Sequence, residues 1–292
     1  VIYNPTKIRD QNVFKGLVER KLLDGGWEPP IWLSTAAADP GVGMAQTALE
    51  SHADLILVAG GDGTVRIVSS QLAGTDTPMA ILPSGTGNLL AQNLDIPLDL
   101  PRALEVALRG KDGAIDVLKV SSPGREDDYA VVMCGIGADA AVIHDTNEEL
   151  KRQIGVGAYI VAGLGHIRTR PVRTTVAIDG EDPFTSDASL VMVCNVSDLQ
   201  AGLTLIPEAT ADDGLLDVIV ASPQSQAELM QLMTAVLART QTPDTLVHRT
   251  GRKVNIEVAE EQLFELDGDV QGMTSQLNFE VMPGALRLRL PH

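Results

Sequence analysis

The first 120 residues alternate short apolar runs with helically spaced segments, and that alternation constrains the fold more than any other feature. "VIYNP", "PIWLST", "DLILVAGG", "PMAILPSG" and "AIDVLKV" read as strands. Between them, residues 10–23, 44–50, 64–72, a short piece of "GTGNLLAQNL" and residues 100–108 carry helical spacing; in the first of these Val13, Leu17, Val18 and Leu22 are the apolar positions. Strand–helix alternation of this kind implies a parallel sheet with helices on both faces. Residues 1–120 are therefore expected to form a Rossmann-like α/β domain.

The texture changes after Val120. "SSPGREDD" is polar and turn-rich and marks a boundary. Beyond it come "YAVVMC", "VRTTVAI", "ASLVMVCNV", "LLDVIVA", "KVNIEVA", "LFELDGD", "LNFEVM" and "LRLRL", interrupted by helical patterns at 147–167 and 224–238. Short strands separated by turn signals predict an antiparallel β-sandwich domain over 121–292. A chain of 292 residues suits two domains of ordinary size. With only 3% aromatic residues, their cores must be mainly aliphatic.

A formal charge of −17 argues against non-specific nucleic-acid binding, which needs a basic face. It also disfavours purely electrostatic attachment to an anionic bilayer. No apolar run is long enough to span a membrane. Val1 opens a strand already under way, so the absence of a targeting segment carries little weight. Cys134 and Cys194 lie in apolar strand-like runs, read as buried thiols suited to a reducing cytoplasm. "NVS" at Asn195 matches a glycosylation sequon, ascribed here to chance.

Ligands of a parallel sheet bind outside the carboxyl ends of its strands. "GGDGT", residues 60–64, falls at such an end and leads into a helix, whose free amides favour phosphate. "LPSGTGN", residues 82–88, repeats the arrangement after the next strand. "YNPT" ends the first strand with Thr6, and "LSTAAADPG" ends the second with Ser34 and Thr35. Neither a P-loop sequence nor the dinucleotide fingerprint is present. A tight turn without ligand would also explain the glycines. Asp62 is repelled by phosphate unless a cation lies between them, which suggests a metal–nucleotide site. A helix cap is the alternative for this residue.

These motifs resemble the diacylglycerol kinase catalytic-domain family, the bacterial lipid kinases related to sphingosine kinases. The resemblance runs nearly end to end: "NPT" at Asn4, "GGDGT" at Gly60, "LPSGTGNLLAQNLDIP" from Leu82, "IDV" at Ile115, "GIGADA" at Gly135, "LIPEATADDGLLDV" from Leu205 and "FELDGD" from Phe264. "GGDGT" is shared with NAD kinases and 6-phosphofructokinases; the later blocks are more specific. The resemblance implies an α/β nucleotide domain followed by a β-sandwich, with ATP in the cleft. It implies ATP contacts at Asn4, Pro5, Thr6, Thr35, Gly60, Gly61, Asp62, Gly63, Thr64, Val65, Arg66 and Thr86. It also implies a Mg2+ ion held by Asp213 with the backbone carbonyls of Thr210 and Leu215. Mixed carboxylate and carbonyl oxygens suit a hard cation, although Asp-Asp-Gly is equally a plain turn.

Asp269 occupies the position of the family's proposed general base, usually glutamate, and "DG" before it is a strong hairpin-turn signal. Asp116, read as following the fifth strand, aligns with an acidic position near the phosphates. Asp62, Asp116 and Asp269 would then form a carboxylate cluster around metal and acceptor. Two positions depart from the family pattern: Arg66 stands where asparagine is usual, and "NLLAQ" at 88–92 lacks the arginine of the usual N-D-F-A-R.

The implied reaction is transfer of the γ-phosphoryl group of ATP to the hydroxyl of diacylglycerol or a related lipid alcohol. The enzyme would be cytoplasmic and transiently membrane-associated, with a homodimer among the compatible assemblies. The apolar, glycine-rich stretch at 154–167 suits an acyl-chain entrance, but a buried helix explains it better. Two alternatives stand beside this reading. One is another GGDGT-type kinase, NAD kinase-like, against which the "DDGLLDV" and "LDGD" blocks tell. The other is a non-catalytic nucleotide- or lipid-binding homologue, supported only by the two departures.

Overall fold

The computed structural model describes residues 1–137, 171–199, 203–204, 206–223, 225, 227–228, 231 and 245–292. The chain forms two compact units: Val1–Val117 with Gly284–His292, and Leu118–Pro283.

In the first unit the chain runs β1 (Ile2–Tyr3), α1 (Gln11–Asp24), β2 (Leu33–Ser34), α2 (Val42–Glu50), β3 (Ile56–Gly60), α3 (Asp62–Leu72), β4 (Met79–Pro83), α4 (Leu89–Asn93) and α5 (Leu100–Arg109), and then enters β5 (Lys111–Ser121). The Asp10 carboxylate caps α1 by accepting the amides of Asn12 and Val13, both at 3.0 Å. The buried stripe of α1 is Phe14, Val18 and Leu22, at i, i+4 spacing. Val13, counted as apolar in the sequence pattern, lies off that line and is 67% exposed.

β2, β1, β3 and β4 pair side by side, all in parallel, and every residue of β3 is buried. That full burial follows from helices covering a parallel sheet. Tyr3 is in register with Ser34 on one side and Ala59 on the other, and Ala59 with Leu82. Strand order reverses at β1, whose chain successor β2 lies on one side and β3 on the other.

The second unit contains β6 (Asp128–Ala130), β7 (Met133–Gly137), β8 (Val172–Ile178), β9 (Phe184–Ala188), β10 (Leu190–Cys194), β11 (Asp198–Leu199), β12 (Leu203–Thr204), β13 (Leu216–Ala221), β14 (Leu246–Gly251), β15 (Lys253–Leu266) and most of β16 (Asp269–Leu290). Its strands pair antiparallel: β14, β13, β10, β7, β15 and β16 are successive neighbours. β15 pairs with β8 over residues 254–258 and with β7 over 264–266. Its register with β16 breaks between Glu257 and Gln262, so one strand serves two layers through an irregularity. The core is aliphatic apart from Cys134, Phe264 and Phe279, with Leu118, Val193, Leu216, Leu266 and Leu277 fully buried.

Four expectations change here. "KVNIEVA" and "LFELDGD" belong to one strand up to Leu266, and "LNFEVM" and "LRLRL" to another. Asp116 lies inside β5, not after it. "PIWLST" yields only the two residues of β2. Residues 284–292, kept with the second domain in the sequence reading, pack into the first unit. There Leu286 and Leu288 are 0% exposed and Leu288 pairs in parallel with Met79.

Both cysteines are buried thiols, and neither is joined in a disulfide. Asn195 is 1% exposed and its side-chain amide donates to the Val131 carbonyl, so the sequon nitrogen is engaged. The helical patterns at 147–167 and 224–238, and the apolar stretch at 154–167, lie wholly or largely outside the described residues. Among the described residues no helix is long and apolar enough to cross a membrane.

Candidate functional site

The register of the parallel sheet brings four loops out in one row. Asn4, Thr35, Gly60 and Pro83 each stand at or just past the carboxyl end of a strand. The Asn4 amide donates to the Ala59 carbonyl at 2.8 Å, and that of Thr35 to Tyr3 at 2.9 Å. Asn4 also shapes its own turn, its Oδ1 accepting the Thr6 amide at 3.0 Å and hydroxyl at 2.8 Å. Pro5 lies inside this turn. The reversal of strand order between β2 and β3 makes this edge the switch-point crevice where ligands of open α/β sheets bind.

The two glycine loops touch backbone to backbone. A Cβ built on Gly85 would lie 2.5 Å from the Gly61 Cα, and the Ser84 amide donates to the Gly60 carbonyl at 3.0 Å. A Cβ on Gly60 would meet the Thr64 side chain at 2.5 Å. Gly85→Ala is therefore expected to destabilise the protein by about 1–3 kcal/mol, since the obstacle is backbone and must move. Gly16→Ala, on the open face of α1 with nothing within 4 Å, is expected to stabilise by up to about 1 kcal/mol. Urea unfolding of both variants checks the pair, and equal midpoints would refute the contact.

Asp62 opens α3 and directs its carboxylate across to the second loop. Its Oδ2 accepts the Asn88 amide at 2.9 Å and its Oδ1 the Leu89 amide at 2.6 Å. It thus caps α4, not the helix it begins. Thr64, Val65 and Arg66 are buried in α3, Gly63 is half-buried and Thr86 is exposed. Asp116, 1% exposed, accepts the Gly284 amide through Oδ1 at 2.7 Å. It anchors the chain where residues 284–292 join the first unit.

In the second unit, Leu266 pairs with Asp269 across a two-residue turn. Asp267 and Gly268 there have φ of 49° and 89°, the signs a type I′ hairpin requires. The Asp267 side chain, 3% exposed, accepts three successive amides: Val131 at 3.0 Å, and Val132 and Met133 at 2.9 Å each. Buried Glu265 accepts the Gly268 amide. Arg125, from "SSPGREDD", lies over the Phe264 ring and donates to the Gln271 carbonyl at 2.7 Å. Asp269 is exposed at the start of β16. Sequence reasoning missed the supporting roles of Glu265, Asp267, Asn88 and Arg125. The one available signal was Glu265, a single acid between Phe264 and Leu266 in a strand otherwise apolar at that end.

The loop before β13 gathers Thr210, Asp213 and Leu215. The Thr210 hydroxyl donates to Asp213 Oδ2 at 3.1 Å, and the Leu215 amide to Oδ1 at 2.8 Å. Gly214 turns the loop with φ of 74°. The exposed Asp213 carboxylate and the Thr210 hydroxyl bonded to it are hard oxygen donors, of the kind that magnesium or calcium takes. Among the described residues no group of three or more His, Cys, Asp or Glu side chains converges as a metal site.

Comparison with known proteins agrees with this organisation. Residues 1–120 match the family model for the diacylglycerol kinase catalytic domain, and residues 130–290 that for the YegS C-terminal NAD kinase beta sandwich-like domain. The chain is 28% identical over 281 residues to a diacylglycerol kinase of Bacillus subtilis, covering 94% of this chain and 90% of that protein. It is 31% identical over 249 residues to a Klebsiella pneumoniae protein named a probable lipid kinase, YegS-like, covering 84% and 80%. A crystal structure of a diacylglycerol kinase from Bacillus anthracis has the same fold, with a TM-score of 0.74 at 22% identity, covering 99% of this chain and 95% of that one. An NAD kinase from Archaeoglobus fulgidus, solved in complex with ATP, is more distant, with a TM-score of 0.51 at 12% identity over 99% and 92% of the two chains. With both of its family models matched in order along nearly the whole chain, the protein belongs to the diacylglycerol kinase and YegS-like lipid kinase family.

Proposed function

We propose that this kinase transfers the γ-phosphoryl group of ATP to the hydroxyl of diacylglycerol or a related membrane lipid alcohol. The observation that carries the reading is the row of loops at the carboxyl edge of the parallel sheet, where two glycine turns pack against each other. Backbone amides at such an edge hold phosphate without needing basic side chains. In this reading Asn4, Pro5, Thr6, Thr35, Thr86 and residues 60–66 contact the nucleotide, with Arg66 on the α3 segment that follows the first glycine turn. The acceptor resides in a bilayer, so turnover requires contact with a membrane surface.

Phosphoryl transfer depends mainly on positioning and charge stabilisation. Asp269 takes the proton of the acceptor hydroxyl as its oxygen forms a bond to the γ-phosphorus and the bond to the β-phosphate oxygen breaks. Mg2+ would be held by Asp213 with the carbonyls of Thr210 and Leu215. When bound it supplies positive charge that offsets phosphate repulsion. Asp213→Ala is expected to abolish the magnesium binding that calorimetry detects in the parent. Equal binding by both would reduce the loop to a turn.

The deciding experiment incubates the protein with radiolabelled ATP and a panel of lipid alcohols in mixed micelles, with NAD as a separate acceptor. Label in the phosphorylated lipid is expected. Transfer to NAD alone, or to no acceptor, would overturn the assignment.

A further inference from the structure

We infer that Asp62 is a positioning residue that locks the two glycine loops together, and not a ligand of the nucleotide's metal ion. The inference rests on the nucleotide reading above and changes the part Asp62 plays in it. Both carboxylate oxygens accept consecutive backbone amides 26 and 27 residues away, from Asn88 at 2.9 Å and Leu89 at 2.6 Å. Charge-assisted bonds of this kind are about twice as strong as neutral ones. Each oxygen already gives a lone pair to an amide, so a cation would have to share both oxygens with N–H donors that draw on the same negative charge.

The segment it grips is itself closed. Asn88, held at φ 49°, accepts the Gly85 amide through Oδ1 at 2.8 Å and donates through Nδ2 to the Gly85 carbonyl at 3.0 Å. Gly85 in turn sits against Gly61, the residue before Asp62. Carboxylate, asparagine and glycine pair thus form one closed circuit between the loops. Its effect is to hold the amides of both turns at fixed spacing before a ligand arrives, so that binding does not spend free energy on ordering them. The aspartate of this glycine motif is on this view an internal strut, and its charge is already satisfied by the protein.

The two roles predict opposite signs. A metal ligand facing phosphate repels ATP when no metal is present, so Asp62→Asn would bind ATP more tightly in EDTA and more weakly with Mg2+. A strut supports both forms alike. The substituted carboxamide would retain one acceptor oxygen and oppose the second backbone amide with its own NH2, so D62N is expected to weaken ATP binding about tenfold in EDTA and in Mg2+ alike.

Calorimetry with ATP in the two buffers reads this directly. Hydrogen exchange on the ligand-free protein reads the tie itself: the Asn88 and Leu89 amides should lose protection in D62N. Tighter binding in EDTA, or unchanged protection at Leu89, overturns the inference. Should D62N fail to fold, Asn88→Gly opens the same circuit from the other side. Glycine tolerates the positive φ there, and the same metal-independent weakening is expected; unchanged affinity in EDTA overturns the inference. If the parent binds ATP in neither buffer, the nucleotide reading fails instead, and amide exchange still decides whether Asp62 ties the loops.

Discussion

Asp269→Asn is expected to lower single-turnover phosphorylation of a lipid alcohol by about 100- to 10,000-fold while ATP affinity stays at the parental value. The expectation follows from a division of labour within the chain. The loops at the carboxyl edge of the first unit's sheet do not include Asp269, and Asp62, Gly85, Asn88 and Leu89 there are tied to one another. Asp269 instead begins β16 directly after the type I′ turn, exposed, on a hairpin tied to Arg125 and to residues 131–133. Asparagine keeps the size and the strand position but cannot accept the hydroxyl proton. Rapid-quench kinetics with nucleotide calorimetry separates the two quantities. A near-parental rate would remove Asp269 from the mechanism. Joint loss of ATP binding and activity would mark it as a ligand of the metal–nucleotide complex.

The second large effect concerns stability. Asp267→Ala is expected to cost about 3–5 kcal/mol of unfolding free energy. The substitution leaves the amides of Val131, Val132 and Met133 without their acceptor in a site only 3% exposed. A stranded buried donor costs about 1–3 kcal/mol, and bonds to a charged acceptor lie at the upper end. Alanine also removes the link between the hairpin tip and residues 131–133. Asparagine should lose less, because its one oxygen can still serve Val132 and Met133. Urea unfolding of the parent, D267N and D267A should therefore rank in that order. An alanine variant as stable as the parent would mean that water replaces the carboxylate at no cost.

Much of the fold was legible because the two periods differ. "DLILVAGG" followed by helical spacing reads as a buried strand feeding a crossover, and β3 with α3 occupies that place. The hairpin was legible for a different reason: "DG" between alternating residues needs positive φ twice, and Asp267 and Gly268 supply it. What could not be read is where carboxylates point. Asp62 carries the same letter whether it faces a metal or two amides; the deciding partners, Asn88 and Leu89, lie more than two dozen residues away. Asp267 looked like a turn residue, and it is one, yet its side chain reaches back across 134 to 136 positions. Asp116 looked like a loop acid because acids are rare inside strands, and its burial depends on Gly284, 168 positions on. Long-range hydrogen bonds leave no periodic trace in a sequence.

The join at Gly284 has a consequence for synthesis. The first unit is not a contiguous stretch: Asp116 holds Gly284, Gly74 donates to the Ala285 carbonyl at 2.7 Å, and Leu286 and Leu288 fill its core. A ribosome delivers residues 1–117 first, yet their sheet cannot be completed until 284–292 have emerged. The second unit runs unbroken from Leu118 to Pro283, so its chain is delivered before that moment. The first unit therefore waits, incomplete at one edge, through the making of the other, and an exposed parallel edge is a hazard for a nascent chain. A chain of this design completes its first unit only after its last residues have emerged.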